Sequence, residues 1–444
     1  MEEEFKQKKE GKRGRGKVLL GIFLGILLSA LFVFLYRGYF TIHINGEALT
    51  ITLPTYYVFH DTKEGEINRS DVDKKLKEME YWLDTEYLYD TDPDELTEGI
   101  YRGVADAIQD TDPYAAYYSR EEFAEQMSDW QGSYSGIGVV VSLDQETGGV
   151  YVVRVMDGPA REAGMKAGDI IVGADGVDLR GMDLDQATSG HIKGAEGTFV
   201  ELTVLRGDEE IVMNVERRKI DSPTVYHSFL ENGGKKFGYL YVSQFAGNTL
   251  PPFAEAVDDI REKKADGMII DLRDDPGGDM NVCLDMVDYL LPDDLHVYET
   301  EIDTGKSLLL SVVDKNGNAD RYMAGDGHAE ELPIVILVNE NSASAAEIFT
   351  GVMRCYGYQT VGTKTYGKGI VQTVRTLSDL SGFKYTSAEY VLPDGTHIHG
   401  EGITPDHVVE PDETFLEKGG DPENPDPEID NQLKKALEVL GAEK

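Results

Sequence analysis

A serine in the second half of the chain has the surroundings of a nucleophile. Ser344 follows an apolar run, IVILV, and a turn of small residues, and it precedes the helix-like sequence AAEIFTGVM. A strand, a tight turn and a helix in this order lift a side chain off a sheet edge and aim helix-start amides at it. The alternative is that Ser342 or Ser344 only caps the helix, since serine is among the best N-cap residues.

A lysine further along the chain has the surroundings of a general base. Lys368 lies between Gly367 and Gly369, which let its side chain enter a pocket, and Gln372 falls on the same face of a predicted strand. Burial lowers the pKa of a lysine amine, and the neutral amine can take a proton from a serine hydroxyl. A solvated turn lysine is the alternative, because lysine is rarely buried.

A glycine turn offers backbone amides. The run GMIIDLRDDPGG predicts a strand followed by a glycine turn whose exposed backbone amides could bind an oxyanion. The alternative is an ordinary strand-to-helix turn, which would need the same glycines for positive φ. Two pairs of residues are possible metal ligands. Asp274 and Asp275 lie in the glycine turn, and His397 and His399 lie on a predicted strand later in the chain. Each pair lacks the further ligands of a cation site, so we expect no metal and no other cofactor.

Hydrophobic patterning divides the rest of the chain. Residues 66–131 space apolar side chains as helices do, and residues 132–218 alternate strand-like runs with glycine turns. Residues 219–411 alternate short apolar strands with helices, which is typical of an α/β core. Residues 37–65 are predicted to form a strand-rich stalk, and residues 412–444 an acidic linker followed by a helix.

The start of the β-rich region suggests a peptide-binding loop. Gly136, Ile137 and Gly138 present consecutive amides just before a strand that begins at Val139. Such a loop beside an open strand edge suits capture of a peptide C-terminal carboxylate by strand addition.

Composition excludes several classes of protein. The 444 residues suggest about three domains. A formal net charge of −40 excludes nucleic acid as a natural partner, because such binders need basic surfaces. Two cysteines without a Cys/His cluster exclude a disulfide-stapled fold and a structural zinc site.

One segment predicts a membrane anchor. Residues 18–36 form 19 consecutive uncharged residues, enough for a helix to cross a bilayer. A cleaved signal peptide is the alternative, but its apolar region is shorter and is followed by small residues, whereas Phe32 to Leu35 are bulky. Residues 1–17 carry most of the flanking positive charge, which places the N-terminus in the cytoplasm and the rest of the chain outside. The cations are Lys6, Lys8, Lys9, Lys12, Arg13, Arg15 and Lys17.

Several ordered motifs resemble known families. The succession GIGVVV, GPAREAGMKAGDIIVGADG and EGTFVELTVLRG resembles a PDZ domain. DLRDDPGG, NSASAAEIFTG, YGKGIVQ and GEGITPDHVVE resemble the carboxyl-terminal processing proteases of serine peptidase family S41, over about residues 95–440. The resemblance implies a crotonase- and ClpP-like α/β protease core with an inserted PDZ domain. It also implies that Ser344 is the nucleophile, Lys368 the general base and Gln372 the residue that orients the lysine.

The resemblance has further implications. It places the amides of Gly278 and Ala345 in the oxyanion hole, and it suggests homodimers, activity gated by the PDZ domain, and substrates with free C-termini or unfolded segments. The chain departs from the family where DLRDDPGG has acids in place of the usual asparagine, and where Ala346 replaces a common second serine. Neither departure removes a reacting group, but the acids can alter the electrostatics near the oxyanion site.

The sequence thus predicts an exported, membrane-anchored serine endopeptidase with a Ser/Lys dyad. One alternative is a PDZ peptide-binding scaffold with an inactive core, which would be expected to lack Ser344, Lys368 or Gln372; all three are present. Another is an acyl-CoA hydratase or isomerase, because related α/β folds bind thioesters at glycine-turn oxyanion holes. An exported location and a PDZ domain argue against that reaction.

Overall fold

The structure is a computed structural model of the chain. It describes residues 39–44, 47–52, 67–144, 146–207, 209–291, 306–325, 332–418 and 421–442. Within these ranges no helix is both long enough and apolar enough to cross a membrane. The predicted anchor, residues 18–36, and the basic head, residues 1–17, lie outside the described residues.

The chain forms two compact units. The small unit contains the described residues as far as Thr111, together with Ala116–Arg120 and Val374–Phe383. The large unit contains Asp112–Ala115, Glu121–Thr373 and the described residues from Lys384 onward. Every residue predicted to take part in catalysis or peptide binding belongs to the large unit.

Two helices dominate the small unit. Its elements are the antiparallel strands β1 (Tyr39–Ile44) and β2 (Glu47–Thr52), the helices α1 (Arg69–Glu86) and α2 (Pro93–Asp106), and the strand β3 (Ala116–Tyr118). The Asp92 carboxylate caps α2 by accepting from the Asp94 amide, and Pro93 takes the first helical position, where no N–H is needed. No residue of α1 is buried in the described structure, so Tyr81 and Trp82 remain exposed.

The β-rich module of the large unit is a twisted sheet with short helices. Helix α3 (Arg120–Trp130) precedes it. The module contains β4 (Ser133–Gly136), β5 (Val139–Leu143), β6 (Val150–Val155), α4 (Pro159–Glu162), β7 (Ile170–Ala174), β8 (Val177–Asp178), α5 (Leu184–Ala187) with a π-helical turn (Thr188–Ile192), β9 (Phe199–Arg206), β10 (Glu209–Glu216) and β11 (Arg218–Asp221).

The strand order of the module leaves one strand at an edge. The order is β10, β9, β7, β6 and β5, with β8 paired to β7, and the buried side chains include Val152 and Leu202. β4 and β11 form a separate antiparallel ribbon, in which Ser133 pairs with Asp221 and Gly136 with Arg218. The chain therefore enters and leaves the module through adjacent strands.

The remaining elements form the α/β core. They are β12 (Val225–Asn232), β13 (Lys235–Val242), α6 (Leu250–Glu262), β14 (Gly267–Asp271), α7 (Met280–Leu290), β15 (Leu308–Asp314), β16 (Ala319–Met323), β17 (Ile334–Val338), α8 (Ala345–Cys355), β18 (Gln359–Gly362), β19 (Ile370–Thr376), β20 (Gly382–Val391), β21 (His407–Val408), α9 (Glu413–Lys418) and α10 (Asn431–Ala442).

A six-stranded sheet organises this core. Its order is β12, β13, β14, β17, β18 and β21, and every neighbouring pair is parallel except β12 with β13. Helices α6, α7 and α8 cover one face and α10 covers the other, so β14 and β17 are buried along their whole length. Because these two strands are parallel neighbours, the turns that follow them meet at one edge of the sheet.

A second sheet carries the lysine segment. Its strands run in the order β16, β15, β20 and β19, and the lysine turn leads directly into β19. The sequence predicts the central strands and a strand at Gln372, which is β19, but not the other strands of this sheet, which carry many half-buried polar residues.

A buried charge network holds the C-terminal segment against the core. Arg273 donates to Asp271 and pairs with Asp430 at 2.7 Å, and its guanidinium lies 5.3 Å from the ring of Phe415. Asp271 also accepts from the Tyr239 hydroxyl at 2.8 Å. The acidic segment predicted as a linker thus begins with a short helix and supplies a buried ion-pair partner.

We expect Arg273→Ala to destabilise the protein by about 3 to 5 kcal/mol, because it leaves two buried carboxylates without a cation. Chemical denaturation of the purified protein measures the change in free energy of unfolding. Arg180→Ala is the control, since its pair with Asp178 is exposed and solvent-screened and should contribute little to stability. Equal effects of the two substitutions would contradict a stabilising role for the network.

Candidate active site

The backbone of the predicted nucleophile is strained. Ser344 is the N-cap of α8 and adopts φ +56° and ψ −115°, a conformation that a non-glycine residue holds only where its surroundings enforce it. Two bonds to the neighbouring turn supply that constraint: the Ser342 hydroxyl donates to Leu272 O at 2.8 Å, and Ala343 N donates to Asp275 O at 3.0 Å. The serine side chain is half-buried at the edge of the sheet.

A buried carboxylate joins the serine turn to the lysine turn. Glu347, on the first turn of α8, accepts through Oε2 from Ser344 N at 3.0 Å and from Lys368 N at 2.7 Å. Its Oε1 accepts from the Thr365 hydroxyl at 2.6 Å and from Gly367 N at 2.7 Å. Serine and lysine segments that are distant in sequence are therefore fixed to the two oxygens of one side chain.

A buried tyrosine makes a second connection. The Tyr390 hydroxyl, at the end of β20, contacts the carbonyl oxygens of both Ser344 and Lys368. Sequence reasoning did not find Tyr390 or Glu347 as site residues. The only local signal was the spacing of Ser344 and Glu347, which is that of a capping box.

The lysine amine lies among polar and aromatic groups. Lys368 Nζ donates to Gln372 Oε1 at 3.3 Å and lies 4.4 Å from the ring centroid of Tyr114. Gln372 Nε2 in turn donates to the carbonyl oxygen of Tyr114 at 3.2 Å. Within the described residues no hydrogen bond joins Lys368 Nζ to Ser344 Oγ.

The surroundings favour the neutral form of the lysine. Burial lowers the pKa of Lys368, and the charge of Lys384 lowers it further, while Asp112 and Glu347 oppose the shift. Burial together with a hydrogen bond to Tyr366 raises the pKa of Tyr114 to about 12, so this tyrosine remains neutral beside the amine. A lysine in this setting can act as a base nearer neutral pH than a solvated one.

The glycine turn lies directly against the serine turn. A Cβ on Gly277 would lie 2.6 Å from Ala343 O and 2.7 Å from Ala345 N, so only glycine fits there. Among the described residues, neither Gly278 N nor Ala345 N donates to a protein acceptor. Two free amides at one sheet edge form the kind of site that binds an oxyanion.

The predicted peptide-binding loop has the features that strand addition requires. β5 is an edge strand of its sheet, and Gly138, just before it, has φ +80°. Ile137 O and Gly138 O accept from Ala160 N and Met156 N, which fixes the loop. The amides of Ile137 and Gly138 have no acceptor within the described part of the chain.

One of the two candidate metal pairs, His397 with His399, differs from the arrangement that the sequence predicts. His397 makes a single β-bridge to Val391 and His399 lies in a turn, so the predicted strand is wrong; Gly395, with φ +87°, reverses the chain between Val391 and His397. Over the residues that the structure describes, no group of three or more potential ligands converges on one point.

Comparison with known proteins identifies the family. The profile of peptidase family S41 matches residues 236–409, and that of the PDZ domain matches residues 135–216. A carboxyl-terminal-processing protease from Synechocystis sp. is 31% identical over 350 residues, which cover 78% of this chain and 78% of that protein. The chain belongs to peptidase family S41. It is a serine peptidase of the carboxyl-terminal processing type, with a PDZ domain.

Other S41 proteins match over similar lengths. A CtpA-like serine protease from Staphylococcus aureus (strain N315) is 31% identical over 387 residues, which cover 85% of this chain and 74% of that protein. Among solved structures, the photosystem II D1 C-terminal processing protease matches with a TM-score of 0.45 and 25% identity, covering 83% of this chain and 91% of that one.

We expect Glu347→Gln to lower kcat of this S41 peptidase by about 10- to 100-fold. In either orientation the amide NH₂ of glutamine would face at least one main-chain N–H, and losing a hydrogen bond to a charged group costs about 1.5 to 3 kcal/mol. Steady-state peptide hydrolysis measures kcat and KM. Glu340→Gln is the control, because Glu340 bonds to the Thr363 hydroxyl and not to the serine or lysine turn. Wild-type kcat in Glu347→Gln would show that the bridge is dispensable.

Proposed function

We propose that the chain is an exported, membrane-anchored endopeptidase in which Ser344 is the nucleophile and Lys368 the general base. The observation that carries this proposal is the Glu347 carboxylate, which bonds to the amides of both residues and so brings the two turns to one site. The lowered pKa of Lys368 supports its role, because the base must be neutral to accept a proton.

The reaction follows from these positions. Ser344 Oγ attacks the scissile carbonyl carbon while its proton passes to Lys368 Nζ, and Gln372 orients the amine. The amides of Gly278 and Ala345 hold the negative charge that forms on the carbonyl oxygen. Lys368 then gives its proton to the leaving amine. Water then attacks the acyl carbonyl carbon while one of its protons passes to Lys368 Nζ. The ester bond to Ser344 Oγ breaks, and Lys368 gives that proton to Oγ, which restores the serine and the neutral lysine.

The PDZ domain is the proposed receptor for substrate. A protein with a free C-terminus or an unfolded segment would add as a strand to β5, and the amides of Ile137 and Gly138 would hold the carboxylate. Gly136 and Val139 flank these amides and set the approach of the chain. The open edge of β5 and the unsatisfied loop amides support this role.

The anchor and the oligomer are further parts of the proposal. Residues 18–36 would span the cell membrane once, with residues 1–17 in the cytoplasm. The exposed aromatic side chains of α1, including Tyr81 and Trp82, are consistent with a homodimer that covers them. Analytical sedimentation of the purified protein would test this by measuring the mass of the particle in solution.

We expect Ser344→Ala and Lys368→Ala each to lower kcat by at least about 10³-fold, because each removes half of the nucleophile-base unit. Wild-type activity should fall with decreasing pH as Lys368 takes up a proton, at a pH below that of an ordinary lysine. The pH profile of peptide hydrolysis measures both effects. Lys364→Ala, an exposed lysine in the same segment, is the control and should keep wild-type activity. Substantial turnover by either dyad variant would refute the dyad.

We expect C-terminal amidation of a peptide to weaken its binding roughly 10- to 100-fold. The amide lacks the anion that the loop would hold, and a charge-assisted hydrogen bond contributes about 1.5 to 3 kcal/mol. Calorimetric titration of the full-length Ser344→Ala variant, which should not cleave the peptide, compares the free acid with the amide. Equal affinities would reject the receptor role and leave the dyad chemistry unaffected.

We expect a protease added outside intact cells to digest the chain after residue 40 and to spare a tag at residue 1. The cationic N-terminal head gives this orientation. Immunoblotting for the tag and for a C-terminal epitope reads out the two ends. Protection of both ends in intact cells, with digestion after lysis, would contradict the proposed topology.

A further inference from the structure

A second carboxyl group lies beneath the oxyanion turn. Asp275 follows β14 and is fully buried. Its Oδ1 accepts from Gly277 N at 2.7 Å, and its main-chain oxygen accepts from Ala343 N at 3.0 Å. One residue thus holds both the glycine turn and the turn that precedes Ser344.

The other oxygen of this carboxyl group has no partner. Asp275 Oδ2 is buried and makes no hydrogen bond within the described structure, where no lysine or arginine pairs with it either. Arg273 is two residues away, but it pairs with Asp271 and Asp430. A buried carboxylate without a cation or a full set of hydrogen bonds is strongly disfavoured, so the group is expected to keep its proton.

The ionisable groups around Asp275 do not supply a compensating charge. The Cys283 thiol of α7, which donates to Ala345 O at 3.1 Å, and the Tyr241 hydroxyl of β13 both interact electrostatically with Asp275. Burial raises the pKa of Cys283. Burial and, to a smaller extent, the nearby aspartates raise the pKa of Tyr241 to about 12, so both groups are neutral. The charged groups that influence these two neighbours are Asp271, Arg273, Asp274 and Asp279.

We propose that Asp275 positions the oxyanion turn as a neutral carboxylic acid, and that its ionisation lowers catalytic activity. The inference rests on the proposed serine mechanism and on the oxyanion role of Gly278. Ionised Asp275 would place a negative charge directly behind the Gly277–Gly278 turn. That charge would oppose the one that forms on the substrate oxygen, and low polarity around the site strengthens the repulsion. Asp275 acts through the turn and does not touch substrate, so it is a positioning residue.

The pKa of Asp275 is consistent with this role. Burial raises it well above the usual range of a carboxyl group, and the hydrogen bond from Gly277 N opposes that shift only in part. Lys368 needs to lose a proton to act, whereas Asp275 needs to retain one. The two groups therefore define opposite limits of the pH range in which the enzyme works.

The test is the pH profile of kcat/KM for a quenched fluorescent peptide, measured with the full-length protein. We expect wild-type activity to fall about tenfold per pH unit once Asp275 ionises. Asp275→Asn keeps the size of the side chain and the acceptor for Gly277 N but cannot ionise, so its activity should persist to higher pH. Asp274→Asn is the matched control, because Asp274 is exposed and its carboxylate accepts from the amides of Asn339 and Asn341; its profile should match the wild type.

Thermal unfolding gives a readout that does not depend on activity. Because the folded protein holds the Asp275 proton more tightly than the unfolded chain, the wild type should lose stability as pH rises from about 4 towards the folded-state pKa. Asp275→Asn lacks this loss, so its unfolding midpoint should exceed that of the wild type by a margin that widens with pH. A purely structural role would give a constant difference.

The outcomes separate the inference from the proposed function. Coincident pH profiles for wild type and Asp275→Asn, with a constant difference in midpoint, would overturn the role of Asp275 while Ser344→Ala still abolished hydrolysis. Hydrolysis by Ser344→Ala would overturn the serine mechanism and this inference with it. If Asp275→Asn folds poorly, Asp275→Ala gives the same comparison at lower activity, since alanine cannot ionise either; an unchanged fall at high pH in that variant would also overturn the inference.

Discussion

The site depends on a single carboxylate that receives four hydrogen bonds. Glu347 collects three main-chain amides and one hydroxyl, and its donors come from the turn of Ser344 and from the segment Thr365–Lys368. Hydrogen bonds to a charged acceptor are the strong ones in proteins, and buried groups of this kind must be fully satisfied. The Ser344 amide is one of the four donors, and this bond adds to those of Ser342 and Ala343 that hold the strained backbone of Ser344.

The sheet supplies the second constraint. β14 and β17 are parallel neighbours, so the glycine turn and the serine turn leave the same edge without any long connection between them. The approach is so close that Gly277 tolerates no side chain. Behind this edge, the ion pairs of Arg273 hold strand ends and the C-terminal segment in place, and a neutral acid at Asp275 fills the space under the turn.

The sequence predicted the residues whose local pattern carries chemistry. Ser344, Lys368, Gln372 and the glycine turn could be predicted as candidates because each follows a recognisable strand or turn signal. Glu347 could not be predicted as a site residue, because its local sequence indicates only an acidic residue in the first turn of a helix. Its partners Thr365 and Gly367 are brought to it by tertiary folding. Tyr114 could not be found either, since it precedes Gln372 by 258 positions and no pattern joins them. The order of the strands, unlike their existence, also depends on long-range pairing that periodicity does not encode.

The ribbon of β4 and β11 has a consequence for how such a protein could arise and be remade. Gly136 and Arg218 are paired neighbours, so both chain connections between the PDZ sheet and the core pass through one narrow ribbon. An insertion whose two ends already lie side by side can be gained, lost or exchanged without opening the host fold, because a short turn can close the gap. The PDZ domain can therefore be changed or replaced as a unit while the α/β core keeps its geometry.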